Sequence, residues 1–597
     1  MNKIRILFII FVLAHWSFST LSLFAQNRFD QICVPPQETN RGLATLATYP
    51  YYPANATLKS LVIFVKFSDD NFDQSPNTDL WPHTLNMLPS WAPSIISSTV
   101  QPNYSNPSIS GYFDEMSMNQ FQLIGDVYPQ LYTPLHEQSY YFRSSGRNIS
   151  YLTEEILTQL DLYINYAQYD NLSPGGTSSD GIVDMIFICF RFFDSDSLDI
   201  LHYTGYASLT GSYPTFGSGS SSLTLDGKQI NAGFPGSGTI QSSVLCLNSI
   251  GVIVHEYGHY LFGGIHYSGI GYWGLMDGSA PGPMCAFERA KSGIAWISPT
   301  LISTNQMNVC LHDAITTGDI KKVEVTPGSS YYFLTENRQR LSYYESNWLQ
   351  YNGGPLRVPG TGLLLTHVTS TSAIDIECAD KKWDWQKSGS NYVYPFVNLN
   401  PNPFAGLDEM ELRNVSTTNG IQSHPDFKGD ADDTYKLGGY TMFSPWSNPN
   451  SNSVGGYGPK YFSDKSIILK SMNGSDMYID FYTTLANNTF SASSEATAFN
   501  SQRKLLRTSD GRLHLVFESE GEIFYRRTQT DGTTWENSTS VYLSTGNYNN
   551  KYPLHHRYQH EAVCGLAAVH RLLWRSVQVR YLLCQKHRLR LDDNDHC

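Results

Sequence analysis

The sequence predicts an α+β fold, with a mixed catalytic-type core in the first half and a β-rich part behind it. Three observations lead there. The 597-residue length exceeds what one ordinary core organises, so two or more domains are expected. Up to about residue 312, apolar strands such as Leu61-Val62-Ile63-Phe64-Val65 alternate with amphipathic stretches such as 151–163. From residue 313 onward short β-type runs separated by turn residues take over, among them 330–334, 362–368, 466–469 and 477–482.

Taken in order, residues 1–26 place Lys3 and Arg5 ahead of an apolar run, the charged-then-apolar order of a secretory signal peptide. A membrane anchor fits less well, because His15, Ser17 and the 19–22 stretch interrupt the run. Residues 27–57 are polar and punctuated by proline, and read as a leader or short prosegment with little structure. Residues 58–312 form the expected core and 313–485 the β-rich part. The Asn/Thr/Ser/Ala-rich segment 486–500 reads as a linker.

With 16% charged residues and a net charge of -13, the chain has the composition of a folded, mildly acidic protein, and nucleic acid is excluded as an expected partner. No segment after the signal is long and apolar enough to span a bilayer. Nine cysteines occur without a Cys-x-x-Cys pair, which argues against a zinc ribbon or a thioredoxin-like site. Export would permit disulfides among Cys33, Cys189, Cys246, Cys285, Cys310 and Cys378, with the pairing left open.

The chemistry concentrates at His255-Glu256-Tyr257-Gly258-His259. Asn248 or Ser249 can cap a helix whose apolar positions include Ile250, Ile253, Val254 and Leu261, and Gly263-Gly264 can end it. Histidines four apart project from one helix face, so both imidazoles can reach a single zinc ion. Such an ion lowers the pKa of its water toward about 7, and a neighbouring carboxylate, here Glu256, takes the proton. A third ligand is needed. His266 is the nearest candidate after the glycine pair; if it is instead a surface histidine, Asp277 and Glu288 are the fallbacks. Met276, read by itself, is an ordinary core methionine.

Together with Tyr272-Trp273-Gly274-Leu275-Met276-Asp277-Gly278 and Ala286-Phe287-Glu288-Arg289, this motif resembles the catalytic segment of the immune inhibitor A family of secreted bacterial metalloproteases, which are metzincin-like. The resemblance extends over most of 58–484, through Ser110-Gly111-Tyr112-Phe113-Asp114-Glu115-Met116-Ser117, residues 180–184, Phe333-Leu334-Thr335-Glu336-Asn337-Arg338, residues 362–368 and residues 447–451. It implies a metzincin-like zinc protease core, Met276 as the Met-turn residue beneath the zinc, and protein or peptide substrates. The chain departs from the family pattern at Phe262 and Ile265, where the family has glycine and an acidic residue; the glycine pair and His266 follow one residue late.

Asp170, Asn171, Asp180 and Asp184 flank a Gly/Ser loop and are candidate calcium ligands; plain turn formation is the competing reading. Beyond the linker, 501–553 alternates like a meander, and residues 528–535 resemble a degenerate Asp-box, the turn of sialidase-like β-propellers. That makes the region a partial propeller-like fragment, with glycan binding as a weak expectation. The tail 554–597 changes abruptly to His, Arg, Leu and Cys without turn residues. Codons chosen for these residues and read one nucleotide later can spell strand-like alternation, so a frameshifted, disordered tail is one expectation and a genuine basic tail the other. The leading function is a secreted zinc endopeptidase; the alternative is a secreted adhesion or glycan-binding protein on a protease-like scaffold. A sialidase-type glycosidase would need a complete propeller, for which 501–553 is too short.

Overall fold

The computed structural model of the chain describes residues 31–33, 55–71, 81–141, 148–173, 176, 178–192, 203–207, 215–232, 240–244, 250–262, 267, 270–276, 282–291, 293–346, 360–368, 374–379, 386–388, 391–393, 421–422, 431–447, 449–452, 463–485, 488–493, 496, 505–519 and 522–536. Within these residues the fold is mixed α/β, with few helices, several sheets and no sheet closed into a barrel. The signal segment, the tail, His266, Asp277 and both expected flanks of the motif helix (248–249 and 263–264) lie outside the described residues.

A six-stranded sheet organises the first half, in the order Gln31–Cys33, Tyr203–Ala207, Ile240–Val244, Met185–Phe190, Ala56–Val65, Phe121–Val127. Ala56–Val65 runs parallel to both of its neighbours, and Met185–Phe190 runs parallel to Ile240–Val244. Parallel strands need crossovers, and helices supply cover on both faces. Leu58, Val62, Phe64, Phe187 and Cys189 pack on one side against Ile250, Ile253, Val254 and Tyr257 of the helix Ile250–Phe262. Leu61, Ile63, Ile186 and Ile188 pack on the other against Leu152, Ile156, Leu157 and Leu160 of the helix Ile149–Leu160. Burial on both faces explains why residues 185–190 read as an unbroken apolar run.

Behind this layer, a five-stranded sheet (Ile374–Ile376, Gly362–Val368, Tyr332–Arg338, Ile320–Glu324, Thr300–Leu301) packs on a four-stranded one (Gln306–Leu311, Asp476–Tyr482, Ser466–Asn473, Met442–Phe443). Phe333, Leu363 and Leu365 from the first meet Leu311, Ile467, Ile479 and Phe481 from the second. A three-stranded antiparallel sheet, Leu505–Arg507, Leu513–Ser519 and Glu522–Arg527, ends the described chain.

Two expectations change. The presumed leader 27–57 contributes Gln31–Cys33, paired in parallel with Tyr203–Ala207, and the first main strand already begins at Ala56. Edge pairing uses main-chain groups and leaves little trace in side-chain pattern. The expected linker is also docked at its described positions. Phe490 lies 4.7 Å from Tyr482 and 6.5 Å from Trp446 between ring centroids, and Arg526 of the last sheet sits over the rings of Trp446 and Trp535 at 5.0 and 5.5 Å. Cys189, Cys285 and Cys310 are thiols rather than disulfides. Among the described residues no helix is long and apolar enough to cross a membrane.

Candidate active site

The helix Ile250–Phe262 is held to the sheet by the residue in the middle of its motif. Tyr257 stacks on Phe187, with centroids 5.4 Å apart and rings 17° from parallel, and its hydroxyl meets the Ser60 hydroxyl. With Tyr257 fixed against the sheet, helical geometry turns His255 and His259 together toward another side. Their ring centroids lie 4.9 Å apart, nearly perpendicular, and His255, Glu256 and His259 are all fully buried. The Nδ1 of His255 lies 2.6 Å from the carbonyl oxygen of Leu275. A carbonyl only accepts, so Nδ1 carries the proton and Nε2 keeps its lone pair for a ligand. Metal-binding histidines are oriented by partners of this kind, and this donor set fits a zinc-type ion.

Leu275 precedes Met276, and Met276 packs against the helix at Gly258. A Cβ added at Gly258 would lie 2.3 Å from the Met276 sulfur and 3.1 Å from Leu275 Cδ2. Residue 258 is three after His255, hence on the histidine side of the helix. The segment 275–276 therefore both touches the helix and sets the His255 tautomer.

Glu288 holds that segment in place. Its carboxylate accepts from the amides of Leu275 (3.0 Å), Met276 (2.7 Å) and Cys285 (2.8 Å). Burial pushes its pKa up to about 7, while those amides oppose the rise by favouring the ionised form. This corrects the fallback reading of Glu288 as a metal ligand, because its oxygens are directed at the backbone of the turn. The amide of Tyr267, the residue after His266, donates to the Met276 carbonyl at 2.8 Å.

A second buried layer braces this segment from the β-rich half. Glu336 accepts from the Ala286 amide at 3.0 Å, and Arg338 lies 5.5 Å from the Trp273 ring centroid while pairing with Glu345 and Glu336. Burial works against the Arg338 charge, but Glu345 and Glu336 outweigh it and hold its pKa above the ordinary value. The Trp273 indole donates to Asp433 at 2.7 Å. Arg289 donates to the carbonyls of Met116 and Ala314 at 2.8 Å and of Ile315 at 3.1 Å. In the sequence Glu336, Arg338 and Leu275 stand out only through the family resemblance and Gly258 only as a motif position, none with a role of its own. The one local signal was Cys285-x-x-Glu288, the spacing of a capping box at the helix Ala286–Arg289.

The acidic loop assembles differently from the calcium expectation. Asp170 accepts from Ser179, from the amides of Asp180 (3.0 Å) and Gly181 (2.9 Å), and from the Lys228 ammonium at 2.6 Å. Burial alone would raise its pKa, but Lys228, Ser179 and those amides hold it low. Asp184 accepts from the amides of Asn171 (2.6 Å) and Leu172 (3.0 Å), and Asp180 from that of Ile182 (3.0 Å). The Asn171 carboxamide oxygen takes the Lys59 amide at 2.9 Å. Oxygens turned toward amides and an ammonium make a braced turn, the reading that competes with calcium at these residues.

In the Asp-box-like turn, the Asp531 carboxylate accepts from the amides of Thr533 and Thr534 at 2.8 and 3.0 Å, which pulls its pKa down to about 2. The turn uses its own acid to fold itself.

No known family model matches the chain, and no curated protein matches it.

Proposed function

We propose that this chain is a secreted zinc-dependent endopeptidase of the metzincin-like type, similar to the immune inhibitor A metalloproteases. The observation that carries the reading is the buried cluster of His255, Glu256 and His259 on one helix, with the His255 Nδ1 committed to the Leu275 carbonyl. Burying two imidazoles and a carboxylate side by side costs free energy, which binding a divalent ion would offset.

His255, through Nε2, and His259 would hold the ion, with His266 proposed as the third ligand. The ion, when bound, supplies Lewis acidity toward a peptide carbonyl and toward water. Glu256 takes the proton from the attacking water at a carboxylate oxygen and returns it to the departing amide nitrogen. Leu275 keeps His255 in the binding tautomer. Met276 supports the floor of the site against Gly258, and Glu288 holds Met276 through its amide. Residues 1–26 act as the export signal, and the substrates are extracellular proteins or peptides.

The test is metal analysis of the purified full chain, wild type beside Glu256→Ala, with casein cleavage measured in parallel. The expected result is the same zinc content in both proteins, at least one ion per chain, and cleavage by the wild type alone. A wild type that binds no zinc, or a Glu256→Ala protein that still cleaves at the wild-type rate, would overturn the proposal.

A further inference from the structure

Far along the chain from the motif helix, the four-stranded sheet carries a separate group of metal-ligating side chains. Cys310 lies on Gln306–Leu311, His312 follows that strand, and Asp476 opens Asp476–Tyr482. The strands pair antiparallel, with Leu311 opposite Met477 and Cys310 opposite Tyr478. Leu311 and Met477 are fully buried in the core between the sheets. The two-residue period of a strand therefore sends Cys310, His312 and Asp476 to the opposite, outer face.

On that face the three converge. His312 Nδ1 lies 2.8 Å from Asp476 Oδ1, and Cys310 Sγ lies 3.9 Å from both ring nitrogens of His312. One ligand atom from each residue lies within 4.8 Å of the other two. Tetrahedral zinc, with bonds of about 2.3 Å to sulfur and about 2.0 Å to nitrogen and oxygen, spaces its ligand atoms roughly 3.3 to 3.6 Å apart. Small side-chain rotations bring this trio to that spacing.

The backbone beneath the trio is already set. The buried Asn337 side chain donates to the carbonyls of Leu311 and Ser475, both at 2.8 Å. Those residues immediately precede His312 and Asp476, so a single carboxamide fixes the separation of two ligand positions. The His312 amide is held by Asp319 at 3.0 Å, and Asp313 caps the next helix through the Thr316 amide at 2.9 Å. Ligands carried on a fixed backbone lose little entropy on binding.

The donor set selects the ion. A thiolate with an imidazole and one carboxylate suits zinc or cobalt(II) over magnesium or calcium, which prefer all-oxygen cages. An exposed His–Asp pair contributes little by itself and gives no reason for a thiol to sit beside it. We propose that Cys310, His312 and Asp476 form a second zinc site that ties the strand Gln306–Leu311 to Asp476–Tyr482, with water completing the coordination.

Cobalt(II) titration of the full chain tests this, because the helix-borne cluster has no cysteine and only a cobalt–thiolate bond absorbs strongly in the near ultraviolet. The expected result is a saturable thiolate band that is absent in Cys310→Ser and needs about tenfold or more cobalt in His312→Ala and in Asp476→Ala. The band should persist in a His255→Ala/His259→Ala protein, which separates this site from the proposed catalytic one. Cys310 is not in the buried core, so a Cys310→Ser protein melting at the metal-free wild-type temperature shows an intact fold. No thiolate band in the wild type, or a band undiminished in Cys310→Ser, overturns the proposal.

Discussion

The motif helix and the acidic loop both gather carboxylates and metal-compatible side chains, yet they use them in opposite ways. In the loop, the carboxylates of Asp170, Asp180 and Asp184 are turned inward onto amides, hydroxyls and the Lys228 ammonium. At the helix, His255, Glu256 and His259 are held in a buried group, and the backbone partner of His255 fixes its tautomer. The same contrast separates Glu256 from Glu288: both are fully buried, but Glu288 spends its oxygens on the amides of Leu275, Met276 and Cys285. Residue type names the atoms available for chemistry, whereas their partners decide whether they serve a ligand or the fold.

The sharpest way to break this contrast is to neutralise each glutamate. Glu256→Gln should lower kcat/KM for a peptide substrate by about 1,000-fold or more, with zinc content and melting temperature close to wild type. Glu288→Ala should instead act on stability, losing about 2 to 4 kcal/mol in urea unfolding by leaving three buried amides without their acceptor. If Glu288→Ala were as stable as the wild type, the bracing role assigned to it would fail.

Gly258→Ala comes next, because its methyl would overlap the Met276 sulfur. A loss of about 1 to 3 kcal/mol is expected. Combining it with Met276→Ala should cost less than the sum of the two single changes, and strict additivity in that double-mutant cycle would show that the contact carries no energy.

A smaller effect concerns pH. Burial raises the pKa of Glu288 from 4.5 to about 7, and that of Asp184 from 3.8 to about 7. A carboxyl whose folded pKa lies above its unfolded one binds its proton more tightly when folded, so stability falls as pH rises from about 4 to about 7. Asp184→Asn should remove part of that slope in urea unfolding followed across pH; an unchanged slope would place the titration elsewhere. The smallest response is expected from calcium. After chelation, calcium should leave the melting temperature unchanged if the braced turn is the whole role of the loop, whereas a calcium-specific rise would support the cation reading of Asp170, Asn171, Asp180 and Asp184.

Much of the fold was legible because its patterns are local. The strand expected at 362–368 forms over the same residues, and those expected at 466–469 and 477–482 form as Ser466–Asn473 and Asp476–Tyr482. The helix expected at 151–163 spans Ile149–Leu160, with Asn148 as its cap. The strand that starts at Ala56 was read five residues short. Its opening, Ala56-Thr57-Leu58-Lys59, alternates apolar and polar, while the run from Leu61 to Val65 is apolar throughout because both faces are covered there.

By itself the sequence determined the helix that carries His255, Glu256 and His259, since a four-residue spacing and apolar periodicity act within one element. It also pointed to β structure in the later half, although the sheets there already take in Thr300–Leu301 and Gln306–Leu311, ahead of the expected start at residue 313. Only the tertiary structure decided that Leu275 orients His255, that Glu288 serves the backbone of the 275–276 turn, and that Asn337 sets His312 beside Asp476. Those pairings join residues from 12 to well over 100 positions apart. A hydrogen bond depends on distance and angle in space, and sequence separation constrains neither until the sheets and helices have packed.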